Sequence, residues 1–175
     1  MFTAKKEEEG CAMLKKDKRR LFRRVRRTLG RFTPLRADCG ELCDRRCCSA
    51  DEQTGMLLFP GERTDLPVQS GAQRRVAVCA GTCERRNRPL SCRFFPFLPV
   101  LENGKVTVQL DRRAMGVCPL VEASSHVRFS QRFLHRARRA GAQLFADEDC
   151  RRFLNEAAEE GEQTAQIFAI FCEKK

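Results

Sequence analysis

Thiols are the groups in this chain whose number and spacing point to chemistry. Eleven of the 175 residues are cysteine, and eight of them lie between positions 39 and 118. They fall as Cys39-x3-Cys43-x3-Cys47-Cys48, then Cys79-x3-Cys83-x8-Cys92, then Cys118. Thiolates are soft ligands suited to zinc and to iron–sulfur clusters, and such a centre needs several of them converging with their protons removed. The odd count and the vicinal pair Cys47-Cys48 read as metal binding more readily than as a disulfide framework.

Geometry constrains how these thiols share a centre. Residues four apart lie on one face of a helix, so Cys39 with Cys43, or Cys79 with Cys83, can present two sulfurs together. If 39–48 were one straight helix, however, Cys39 and Cys47 would stand about 12 Å apart along its axis, too far for one zinc with bonds of ~2.3 Å. Either the helix breaks inside this segment, with Gly40 and the charged residues after it as the place, or the cysteines serve more than one centre.

The remaining candidates are weaker. Cys150 and Cys172 sit on apolar helical faces and are expected to pack as core thiols, and Cys11 lies in a basic arm as a free thiol. His126 and His135 are isolated and are not expected to be ligands. Arg88 and Arg93 flank Cys92 and are placed to lower thiol pKa values or to donate hydrogen bonds to cluster sulfurs, although a solvated surface role fits them equally. The chain shows no glycine-rich phosphate loop, and two histidines do not make a hydrolase.

The order of the cysteines, together with Arg88-Pro89-Leu90-Ser91-Cys92-Arg93-Phe94-Phe95-Pro96-Phe97 and Cys118-Pro119, resembles the YkgJ-like cysteine-cluster family, also called CxxCxxCC. That family is regarded as chelating zinc or iron. The resemblance spans roughly residues 38–119, and it departs in the first group, where three residues instead of two separate the cysteines. By position it implies the ligands Cys39, Cys43, Cys47, Cys48, Cys79, Cys83, Cys92 and Cys118. Segments of this type also occur in proteins like flagellin lysine-N-methylases, which keeps a redox or methylation-related iron–sulfur enzyme as an alternative. The Cys-x3-Cys-x2-Cys spacing of radical enzymes is absent, and the chain is shorter than the roughly 200 residues of a full barrel.

These residues must be positioned by few elements. Residues 11–29 read as an amphipathic helix with Leu14, Leu21, Phe22, Val25 and Leu29 at helical spacing and a Lys/Arg surface, stopped by Gly30 and Pro34. Residues 61–75 read as a loop, and Val76 and Val78 as part of a short strand. Phe97–Leu101 and Val106–Leu110 flank Glu102-Asn103-Gly104-Lys105, the signature of a β-hairpin. From about residue 127 the pattern is helical, with stripes through Val127, Leu134, Ala137, Gly141 and Leu144, then Cys150 to Ala157, then Gln163 to Cys172. The expected fold is mostly α with one small β-hairpin at about 97–110, in which a loop-rich, metal-stapled cysteine centre packs on two or three C-terminal helices. Its parts are the basic helix at 1–36, the cysteine-cluster metal-binding region at 37–121 and the C-terminal helices at 122–175, all of one domain.

Charge is uneven: residues 1–36 carry +9 and residues 37–175 only +2. The basic helix could bind nucleic acid or another acidic partner, lie on an anionic membrane surface, or simply pack on the core with a solvated outer face. No run approaches the roughly 20 apolar residues of a membrane span, and the first residues lack the apolar centre of a secretion signal, so a cytoplasmic protein is expected. A protein partner and the oligomeric state are left open.

Overall fold

A computed structural model describes residues 17–37, 39–48, 55–71, 74–79, 81 and 84–172, with the backbone alone at 39, 85, 171 and 172. Helix α1 occupies residues 17–29 of this range; Leu14 and Cys11 lie outside it. Phe22, Val25 and Leu29 follow the three-to-four residue spacing of one helical face and are all buried, while Arg19, Arg20, Arg23, Arg24 and Arg27 face solvent. Gly30 takes a φ of 61° and its N–H closes on the Arg26 carbonyl, so the expected glycine stop is observed.

Two small antiparallel sheets follow. In the first, β1 (Gly55–Leu57) and β2 (Val68–Ser70) pair on either side of β3 (Arg75–Val78). This sheet corrects the expectation of a single hairpin and of a loop at 61–75. Val68-Gln69-Ser70 is too short and too polar to display alternation, and it becomes a strand only through pairing, with the Val78 N–H donated to the Pro67 carbonyl and the Gly71 N–H to the Arg74 carbonyl. The second sheet is the expected hairpin, β4 (Phe97–Glu102) with β5 (Lys105–Leu110), in the register Glu102↔Lys105. Asn103 and Gly104 turn it with φ of 49° and 74°.

About half of the described residues are helical. After the short α2 (Cys39–Leu42), α3 (Leu90–Phe94) and α4 (Pro119–Glu122) come α5 (Gln131–Phe145) and α6 (Glu148–Cys172). Ser130 caps α5 by accepting the Phe133 N–H, and Asp147 caps α6 by accepting the Cys150 N–H. The two apolar stripes seen beyond residue 147 belong to one continuous helix. Phe133, Ala137, Ala140, Leu144, Cys150, Leu154 and Ala157 from α5 and α6 join Phe22, Val25 and Leu29 of α1, Leu90 and Phe94 of α3 and Phe97 of β4 in one core. Helix α5 crosses the hairpin closely: a Cβ at Gly141 would come within 2.6 Å of the Pro99 side chain. No described helix is long and apolar enough to cross a membrane.

One charged joint lies inside. Glu62 is fully buried and accepts hydrogen bonds from the Leu90 N–H at 2.9 Å, the Phe59 N–H at 3.3 Å and the Arg26 guanidinium at 2.6 Å. It ties α1 to the start of α3. Burial raises its pKa, against the pull of the Leu90 N–H and Arg26.

Candidate metal centre

The segment after α2 does break. Asp44 and Arg45 both take positive φ, at 48° and 53°, and a 3-10 turn at Arg46–Cys48 follows. The Arg45 N–H closes on Gly40 and the Cys48 N–H on Arg45. The reversal presents both vicinal thiols together, with the Cys47 and Cys48 sulfurs 4.0 Å apart. Two ligands of one tetrahedral zinc, with bonds of ~2.3 Å, stand about 3.8 Å apart. The pair therefore has a separation that the donor chemistry accepts.

Other segments bring further thiols to the same place. Cys79 leaves the end of β3 beside Cys48. In α3, Leu90 and Phe94 are four apart and share the core face, which leaves Cys92 about 200° from Leu90 around the helix. Cys47, Cys48, Cys79 and Cys92 all line one small cavity of about 40 Å³, closed by Met56, Leu66 and Phe95. Cys118, at the start of α4, is buried, and Cys43 lies near enough for its charge to raise the Cys118 pKa. Of the sequence candidates, Cys47, Cys48, Cys79 and Cys92 thus converge, Cys43 lies in the neighbourhood of Cys118, the Cys39 side chain and Cys83 lie outside the described residues, and so do Cys11 and the Cys172 side chain. Cys150 is fully buried in the core, as its apolar face predicted, and His126 and His135 are exposed.

The electrostatics hold these groups as thiols. Cys48 is pushed well up, first by its hydrogen bond with Cys47 and then by burial. Burial also raises Cys79 and Cys118. Arg88 lines the cavity and its charge pulls Cys48 and Cys79 the other way, the role its position beside Cys92 suggested. Arg93 instead donates to the carbonyls of Arg86 and Arg88. Uptake of a cation here would expel protons, and Arg88 makes the thiolates easier to form.

Among the described residues, no three or more His, Cys, Asp or Glu side chains are arranged to hold a metal ion. The metal-stapled centre expected from the sequence is therefore not displayed by them; the Cys47 and Cys48 sulfurs are in contact, and Cys79 lies beside Cys48. The sequence reading missed a second, wider groove of about 700 Å³ that also reaches Cys47, where Arg113 bridges Asp111 at 2.7 Å and Glu160 at 3.3 Å. Asp111 and Arg113 belong to the capped turn after β5 and Glu160 to α6, so no local motif joins all three. No protein-family model, curated protein or solved structure matches this chain.

Proposed function

We propose that this protein binds zinc or an iron–sulfur cluster through clustered cysteine thiolates. The observation that carries the reading is the convergence of Cys47, Cys48, Cys79 and Cys92, from three separate stretches of chain, on one cavity beside Arg88. Isolated core thiols have no reason to meet in this way, whereas soft metals require it. The residues that would hold the metal are these four, with Cys43, Cys118, Cys39 and Cys83 added by the order of cysteines that resembles the YkgJ-like family. Bound there, the metal would join the turn at 46–48 to β3 and α3, elements whose mutual contacts are otherwise few.

The test is purification without oxygen, followed by an absorption spectrum and iron, zinc and sulfide contents per chain. The chain has no Trp or Tyr, so a chromophore stands out against a weak protein background. Broad absorbance near about 400 nm with iron and sulfide assigns a cluster; a colourless protein with stoichiometric zinc assigns zinc. The double variant C48S/C79S should lose the metal and C150S should keep it. A protein free of both metals, with its thiols reduced, overturns the proposal.

A further inference from the structure

A second feature lies along α1. A groove of about 1030 Å³ runs between α1 and the chain around residues 84–93, and among the described residues eight arginines line it against one glutamate. One wall is α1, where Arg19, Arg23 and Arg27 recur every four residues, a row with steps of about 6 Å along the axis. The facing wall carries Arg63, Arg86 and Arg93. Glu62 below the groove is committed to Arg26, and Glu84 pairs with Arg86. Among the described residues, Arg19, Arg23, Arg27, Arg31 and Arg63 have no carboxylate partner, so the groove holds a strong uncompensated positive field.

We propose that this groove binds the phosphate backbone of a single-stranded nucleic acid. Among the described residues the lining cations are all arginine, whose planar guanidinium matches phosphate oxygens in a two-pronged contact and also stacks on bases. Lys18, the lysine of α1 among the described residues, is occupied with Asp147 and Asp149. Charge on two facing walls suits one strand running between them, whereas a duplex would meet only the rim. A membrane surface would call for apolar side chains projecting beside the cations, and the aromatic residue of the groove, Phe22, is buried at its floor. The arginine row also resides on a helix anchored by Val25 and Leu29, so it is held in place before the ligand arrives.

The test is fluorescence anisotropy of labelled oligo(dT) and oligo(U) with the full chain, titrated over a salt series. R23Q/R27Q and R31Q/R63Q each alter exposed side chains without a carboxylate partner among the described residues, and circular dichroism would verify that they fold. Each should weaken binding about tenfold and flatten the salt slope by about 1.4, since each neutralised phosphate of a single strand contributes about 0.7. R138Q/R139Q removes the same charge from the exposed face of α5 and should leave both readings nearly unchanged. Metal content should be the same in all three variants, so this proposal and the thiolate proposal fail separately. The proposal is overturned if the α5 variant loses as much affinity, if polyglutamate or vesicles of anionic lipid compete as well as oligo(dT), or if neither strand binds.

Discussion

The helical core and the cysteine-bearing segments are built on opposite principles. In the core, Phe133, Ala137, Ala140 and Leu144 of α5 are fully buried against α1, α6 and the hairpin, so hydrophobic burial alone orders the elements. In the cysteine region, α2 has four residues, the turn at Arg46–Cys48 buries none, and β1 to β3 have three or four residues each. Such elements cannot bury enough apolar area to order themselves, and what joins them is strand pairing of β3 with β1 and β2 and the contact of Cys47 with Cys48. Apolar packing can specify a shape without chemistry. The thiols specify a chemistry with little packing.

That contrast can be broken in order of expected effect. Phe133→Ala empties a fully enclosed site and should lower the unfolding free energy by about 3–5 kcal/mol in urea titrations; a loss below about 1 kcal/mol would mean that the core is not where stability resides. Glu62→Ala leaves the Arg26 charge and two backbone N–H groups without their acceptor and should cost about 3 kcal/mol by the same measurement.

Glu62 also predicts a pH dependence. Because its folded pKa is raised, its contribution is fully present below the unfolded carboxyl pKa and is lost as pH rises through the folded value. The stability of the parent relative to Glu62→Gln should therefore grow as the pH is lowered, and a difference independent of pH would remove this role. Gly141→Ala forces a methyl against Pro99 and should cost about 1–3 kcal/mol. The smallest effect on stability, under about 1 kcal/mol, is expected for C48S/C79S in metal-free protein. If that pair instead unfolds the chain, the thiols belong to the core after all.

Much of the core was legible because its signals are local. The α1 stripe, the Asn103-Gly104 turn and the α5 stripe each depend on the period of a single element. Strand β2 was not legible, since its only reason to be extended is its partner β3. The break at Asp44 and Arg45 was one of two outcomes that the cysteine spacing allowed, and backbone closure on Gly40 and Cys43 selected it.

By itself the sequence determined the stock of thiols and their order, the arginine face of α1, the hairpin and the helical stripes, because each is a matter of residue type and short-range period. Tertiary structure alone decided that Cys47, Cys48, Cys79 and Cys92 share a cavity, that Arg63, Arg86 and Arg93 face the arginines of α1, and that Glu62 lies buried between them. Those juxtapositions join residues distant along the chain. They exist only once burial of the apolar faces has brought α1, α3 and β3 together, and no periodicity within one segment records them.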